Sequence, residues 1–273
     1  MAREFGYRDG IAVFQIVCFS ALFLCAIAMA RSRKNGWFCV GGVAVIRLVG
    51  ASCLLATLGD NSRSVWAGVY VCESLGVLLL TFLLLGMLER ANHFVPLLNR
   101  HFFRAPILLS WLGIGLTAGD YVLAVREGDA YSPVNPWGVA GMAVFVAIYG
   151  ATAALALFLL LRRAAFRERG WHGERRQVEC AAACMPVLGL RVAYTVAGRL
   201  SPPGRETFNP VRGGDPTAYL VMVAFAEVAV AAAATAAILW YGRDWRQYEK
   251  ALRESIDDEQ QQGAQPLAAS RQA

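Results

Sequence analysis

Residues 65 to 88 read VWAGVYVCESLGVLLLTFLLLGML, an apolar run whose single charged residue is Glu73. A helix needs roughly 20 consecutive apolar residues to cross the hydrocarbon core of a bilayer, and this run is long enough. Six further runs approach the same length, with the sixth of the seven being the least apolar because it contains Pro186 and Arg191. The sequence therefore predicts an all-α polytopic membrane protein, a bundle of seven transmembrane helices over residues 10 to 30, 37 to 58, 65 to 88, 106 to 125, 138 to 161, 180 to 198 and 218 to 241.

The composition is typical of a protein that folds within a lipid bilayer. Of the 273 residues, 57% are hydrophobic and only 17% are charged, a balance too apolar for a typical soluble domain. The formal charge of +6 comes from arginines in short connections between apolar runs, and no basic patch interleaved with aromatics is present. We therefore expect membrane lipid as a partner and no nucleic acid.

The distribution of lysine and arginine predicts the orientation. Most of the 26 basic residues lie in the first, third and fifth connections and in the C-terminal tail. Because cytosolic connections carry the excess of basic residues, the N-terminus is predicted on the outer side and the C-terminus in the cytosol. The plasma membrane and the endoplasmic reticulum both suit spans of this length.

Four units follow from this reading. Residues 1–9 form an outer N-terminal segment and residues 10–241 form the transmembrane domain. Residues 242–257 read as an amphipathic helix along the cytosolic surface. The tail, residues 258–273, is rich in glutamine, alanine and acidic residues and is predicted to be disordered.

Metal and cofactor chemistry finds no support in the sequence. All seven cysteines lie within apolar runs, whereas the three histidines lie outside them. That separation argues against a Cys/His metal site and against a disulfide framework, so no metal and no cofactor are predicted.

Apart from Asp120, near the outer end of the fourth predicted span, the charged residues inside predicted spans are Arg47, Glu73, Arg191 and Glu227. An ionisable side chain at this depth is costly unless it is paired or hydrated, which makes each a candidate functional residue. At 1.5 Å rise per residue, all four lie roughly 10 to 16 Å below the outer ends of their helices. Two cations and two anions are therefore predicted to meet in the outer half of the membrane.

Neighbouring polar residues extend the predicted site. Tyr70 and Tyr194 lie about one helical turn from Glu73 and Arg191, so each phenol shares the face of its charged neighbour. Pro186 can kink the sixth helix just before Arg191. Three polar residues nearer the outer surface are predicted to line the rim of an outward-facing cavity: Asp9, Gln15 and Asp120.

Several stretches resemble a family of uncharacterised seven-helix membrane proteins of filamentous fungi. They are Tyr7-Arg8-Asp9-Gly10, Arg47-Leu48-Val49-Gly50-Ala51, Glu73-Ser74-Leu75-Gly76 and Leu88-Glu89-Arg90. The resemblance covers most of the chain up to about Tyr241. It implies the fold and a fungal source, and no established activity.

Three functions are compatible with these residues. The first is the binding, sensing or transport of a small lipophilic molecule, a secondary metabolite or lipid, in a pocket lined by Arg47, Glu73, Arg191, Glu227, Tyr70 and Tyr194. The second is a membrane-embedded acid-catalysed cyclase, isomerase or epoxide-opening enzyme of fungal secondary metabolism. Glu73 and Glu227 would then be the catalytic residues, with tyrosines such as Tyr149 adding cation–π stabilisation, an arrangement similar only in architecture to the seven-helix terpene cyclases. The third is a structural membrane protein in which two Arg–Glu pairs fix helix register and bind nothing.

Overall fold

A computed structural model describes residues 6–32, 34, 36–59, 62–94, 97–99, 101–126, 136–164, 172–200, 214–241 and 250. Within these ranges the chain is helical and contains no strand, as the sequence predicts. The long helices are α1 (Tyr7–Arg31), α2 (Trp37–Ala56), α3 (Arg63–Phe94), α4 (His101–Arg126), α5 (Pro136–Leu161), α6 (His172–Leu200) and α7 (Pro216–Tyr241).

Most of these helices extend beyond the apolar runs that predict them. The largest extension is in α6, which begins at His172 and passes through Glu174 and Arg175 before the apolar run starts at residue 180. Polar side chains in these additional turns are partly buried in the bundle, since Glu174 and Gln177 of α6 are each 1% exposed. The helix also continues through Pro186, where the sequence predicts a kink.

Six helices in the described part of the chain are long and apolar enough to cross a membrane, namely α1, α2, the Val71–His93 portion of α3, α5, α6 and α7. The chain is therefore an integral membrane protein. The sixth predicted segment, the least apolar by sequence, is one of these helices. The fourth helix, α4, is 26 residues long and is not among the six.

Glycines bring neighbouring helices close together. A Cβ added at Gly50 of α2 would lie 2.9 Å from Cys72 Cβ of α3, and one added at Gly141 of α5 would lie 2.7 Å from Thr117 Cγ2 of α4. Small residues at such contacts let helix backbones approach each other, which is the main source of packing energy between helices in lipid.

Helix α3 is the centre of the bundle, since it contacts α2, α4, α5, α6 and α7. Its leucine run supplies much of the largest buried cluster, including Leu80, Leu84 and Leu88, none of which is exposed. Large apolar side chains on the outside of the bundle, such as Phe38 of α2 and Trp240 of α7, are more than 70% exposed. In a bilayer these side chains face lipid rather than water.

Helix α7 is irregular in a way the sequence analysis did not predict. Its first turn, Pro216–Tyr219, is α-helical, and Asp215 caps it by accepting a hydrogen bond from the Thr217 amide at 2.9 Å. Residues Leu220–Phe225 then form a π-helical segment before the α-helix resumes at Ala226. A π segment accommodates one extra residue in the helix and is frequent at functional sites.

Several predictions lie outside the described residues. The cytosolic amphipathic helix at 242–257 contains a single described residue, Lys250, and the tail at 258–273 contains none. The connection between α6 and α7, residues 201–215, is described only at Gly214 and Asp215. These assignments stay predictions.

Candidate functional site

The four charged residues singled out in the sequence contact one another, although each comes from a different helix. Glu227 of α7 lies at the centre. Its Oε1 atom accepts a hydrogen bond from Arg191 Nε of α6 at 2.7 Å and another from Arg47 Nη2 of α2. One carboxylate thus joins two guanidinium groups from opposite sides, and we refer to Arg47, Glu73, Arg191 and Glu227 as the four-charge cluster.

Glu73 of α3 completes the cluster. Its Oε2 atom accepts a hydrogen bond from Arg191 Nη2 at 3.3 Å, and its Oε1 atom accepts one from the Tyr219 hydroxyl of α7. Arg47 also approaches this residue, since its Nη2 atom lies 3.4 Å from the Glu73 carbonyl oxygen. Arg191 therefore bridges both glutamates.

The cluster is buried within the bundle. Glu227 is fully buried, Arg191 and Arg47 are 2% and 3% exposed, and Glu73 is 9% exposed. Removing four charges from water costs several kcal/mol per ion, and only mutual pairing with good hydrogen-bond geometry offsets that cost. The equal number of cations and anions makes the group neutral as a whole.

Two polar atoms of the cluster remain without a hydrogen bond among the described residues: Glu227 Oε2, an acceptor, and Arg47 Nε, a donor. Nearly all buried polar groups in proteins are hydrogen-bonded, and an unsatisfied one costs about 1–3 kcal/mol. The cluster therefore retains one unused acceptor and one unused donor in its interior.

A glycine determines where Arg47 lies. A Cβ added at Gly76 of α3 would lie 2.5 Å from Arg47 Cζ, well inside van der Waals contact. The guanidinium group thus occupies the space that a side chain at position 76 would fill. The Glu73-Ser74-Leu75-Gly76 stretch supplies both a partner of the cluster and the room for it.

The π segment places two residues of α7 on one face. Tyr219 and Glu227 are eight positions apart, which in a regular α-helix leaves them about 80° from a common face. A π segment that absorbs one residue reduces this separation to seven effective steps, or about 20°. Both side chains consequently reach the cluster, Tyr219 through Glu73 and Glu227 directly.

A second layer surrounds Arg191. Its Nη1 atom donates to Thr195 Oγ1 at 2.5 Å, and this hydroxyl in turn donates to the Arg191 carbonyl oxygen at 3.2 Å. The Tyr194 ring, 1% exposed, packs edge-on against the Tyr219 ring with centroids 6.3 Å apart. Thr195 thus satisfies one N–H group of Arg191, and the two tyrosine rings join α6 to α7 beside it.

Other predicted site residues have different positions. Asp9 and Gln15 are buried, at 0% and 4% exposure, rather than lining an open rim as predicted. Asp9 instead caps α1 by accepting a hydrogen bond from the Gly6 amide at 2.8 Å. The Tyr149 hydroxyl donates to the Met185 carbonyl oxygen of α6 at 2.9 Å, next to Pro186. The side chains of Tyr70 and Asp120 lie outside the described residues.

Sequence reasoning missed Tyr219 and Thr195. Tyr219 looks like an interfacial aromatic because it lies at the start of an apolar run, and only the π segment turns it toward Glu73. Thr195 lies one turn after Arg191, so the i,i+4 spacing in the sequence already indicates that the two side chains share a helix face.

A family model described as a domain of unknown function, DUF7702, matches residues 5–240, and the chain therefore belongs to this family. The match spans all seven long helices and every residue of the four-charge cluster. No curated protein and no solved structure matches the chain.

Proposed function

We propose that this DUF7702 protein is a seven-helix membrane protein that binds a small lipophilic molecule through a polar group of that molecule at the four-charge cluster. In this proposal α4 is the seventh span. The excess of basic residues in alternate connections supports an outward N-terminus, which puts the cluster in the outer half of the bilayer.

One observation carries the proposal: the unused acceptor Glu227 Oε2 and the unused donor Arg47 Nε lie within the same buried cluster. A hydroxyl group can accept from the donor and donate to the acceptor, and a carbonyl group can satisfy the donor alone. Satisfying them recovers about 1–3 kcal/mol each, which is a large share of the binding energy of a small molecule. The π segment beside Glu227 also supports a functional site.

Binding is favoured over acid catalysis by the hydrogen bonds of the two glutamates. Glu227 accepts from two guanidinium groups, and Glu73 accepts from a guanidinium group and a tyrosine hydroxyl. The charge-assisted contacts at three of the four carboxylate oxygens favour the ionised form of both residues. Glu227 Oε2 accepts no hydrogen bond among the described residues, and in this proposal it accepts one from the ligand.

The resemblance to membrane proteins of filamentous fungi supports a secondary metabolite or a lipid as the ligand. Binding can serve either sensing or transport, and either role leaves the molecule chemically unchanged. The plasma membrane and the endoplasmic reticulum are the membranes we propose.

The test compares the wild type with a variant that keeps the volume of the cluster and removes its charges: Arg47→Met, Glu73→Gln, Arg191→Met and Glu227→Met. Replacing a buried ionic network by apolar side chains of similar volume is often neutral or stabilising, so this variant is expected to fold. Glutamine at position 73 keeps an acceptor for the Tyr219 hydroxyl.

Both proteins are produced in a filamentous fungus and purified in mild detergent, and the bound small molecules are extracted and identified by mass spectrometry. We expect a molecule that accompanies the wild type in near-equal molar amount and is absent from the charge-free variant of equal thermal stability. Equal recovery from both proteins, or no bound molecule in the wild type, would leave the cluster with a structural role only.

A further inference from the structure

Arg8, in the first turn of α1, is held by two aromatic rings. Its Cζ atom lies 6.0 Å from the ring centroid of Trp66, near the start of α3, and 5.7 Å from that of Tyr219, near the start of α7. These distances are those of cation–π contacts, so the guanidinium group is fixed where three helices begin. The Tyr7-Arg8-Asp9 stretch, noted in the sequence for its resemblance alone, thus has a defined position.

The guanidinium group has no carboxylate partner among the described residues. Two of the acidic side chains that the structure describes, Asp9 and Asp215, lie at this end of the bundle, and both cap helices. Asp9 accepts from the Gly6 amide at 2.8 Å and Asp215 accepts from the Thr217 amide at 2.9 Å. Arg8 is only partly buried, so its planar N–H groups remain open to an external anion.

Arg8 and the four-charge cluster are connected through Tyr219. One face of the Tyr219 ring lies against Arg8, and its hydroxyl donates to Glu73. Along α3, Trp66 and Glu73 are seven residues apart, which corresponds to about 10 Å along the helix axis. Trp66, which contacts Arg8 at the level of interfacial aromatics, thus lies about 10 Å nearer the helix start than Glu73, and this rise sets the approximate spacing between the two polar sites.

We propose that Arg8 binds the anionic head group of the ligand, a carboxylate or phosphate, while a hydroxyl or carbonyl group about 10 Å along its chain reaches the four-charge cluster. Guanidinium groups bind both anions through paired N–H donors. The inference rests on the proposed function, since it names the class of molecule that the site takes: a chain-like amphiphile with two polar groups at this spacing.

The experiment measures dissociation constants for the full chain in mild detergent with four probes: 10-hydroxystearic acid, its methyl ester, stearic acid and oleoyl lysophosphatidic acid. Variants are Arg8→Gln, Arg8→Lys and, as a matched control, Arg31→Gln, which removes an exposed arginine at the other end of α1. Thermal unfolding measurements check that each variant folds. Arg8→Lys keeps the positive charge at position 8 and removes the planar guanidinium group.

We expect the wild type to bind the hydroxy acid at least tenfold tighter than its methyl ester, a difference of about 1.4 kcal/mol. Arg8→Gln should remove this preference, Arg8→Lys should retain part of it, and Arg31→Gln should leave it unchanged. If oleoyl lysophosphatidic acid binds as tightly as the hydroxy acid, and if Arg8→Gln weakens the binding of both to the same extent, a phosphate head group is supported.

Unchanged preference for the acid in Arg8→Gln would overturn the role of Arg8. A different result would contradict the proposed function. That function predicts that the charge-free variant of the cluster no longer prefers hydroxystearic acid over stearic acid, so a retained preference would overturn it. If that second preference is lost in the charge-free variant while Arg8→Gln has no effect, the cluster binds ligand and Arg8 does not.

Discussion

Deleting one residue from the π segment of α7 is expected to leave the protein folded. Val221 lies in that segment and is 51% exposed, so its removal takes no side chain out of the core. The deletion makes Tyr219 and Glu227 seven positions apart in a regular α-helix, about 20° from a common face, which is close to the arrangement that the π segment provides. Both side chains should still reach Glu73 and the two arginines.

The matched control is deletion of Ala232, an exposed residue in the regular part of α7. The helix at Ala232 is a regular α-helix and contains no surplus residue. Removing one residue there must therefore rotate one half of the helix by about 100° relative to the other. Either Glu227 leaves its arginines, at a cost of about 3–5 kcal/mol, or Ala234, Ala237 and Ile238 leave the core.

The assay is the thermal midpoint of the detergent-solubilised protein, followed by size-exclusion chromatography after heating. We expect the Val221 deletion to stay within a few degrees of the wild type. The Ala232 deletion should lose roughly 6 to 20 °C, from about 2–4 °C per kcal/mol for a chain of this size, or fail to accumulate. Equal damage from both deletions would refute the reasoning that the π segment holds one surplus residue.

Three further predictions concern the cluster and the topology. Gly76→Ala should lower the thermal midpoint because its methyl group would overlap the Arg47 guanidinium, whereas Gly86→Ala, with no neighbouring atom within 4 Å, should be neutral or stabilise the same helix by up to about 1 kcal/mol. Glu227→Gln should cost about 3–5 kcal/mol because Arg47 loses its carboxylate partner and Arg191 loses one of its two. Glu179→Gln, which breaks a partly exposed i,i+4 pair with Arg175, should cost about 0.5 kcal/mol or less in the same unfolding assay. A glycosylation tag placed before α1 should be modified in cells and one placed after α7 should not, and the reverse pattern would contradict the predicted orientation.

The sequence was sufficient to predict the helices because the bilayer imposes a length requirement on apolar runs. The apolar run at residues 65 to 88 predicts the central part of the helix Arg63–Phe94, since a run of that length and composition is stable in lipid as a helix. The meeting of Arg47, Glu73, Arg191 and Glu227 was also predictable, because buried charges that have no water must find each other.

The arrangement within the cluster was not predictable from spacing. Helical periodicity assumes 100° per residue, and six π-helical residues in α7 break that assumption between Tyr219 and Glu227. Asp9 illustrates a different limit. Its position near a helix start predicts a place at the rim of a cavity, but an acidic side chain in the first turn can also accept hydrogen bonds from the free amides at the start of its own helix, and in this protein it does so.

The sharing of Glu227 between Arg47 and Arg191 has a consequence for biosynthesis. Arg47 leaves the ribosome 180 residues before Glu227, its carboxylate partner. At about 5–20 residues per second, the second helix waits roughly 10 to 40 s with a charge in or near the membrane and no counter-ion from the last helix. We therefore expect the translocation machinery or an insertase to shelter α2 until synthesis ends, and a chain that stops before residue 216 to be recognised as unassembled and degraded.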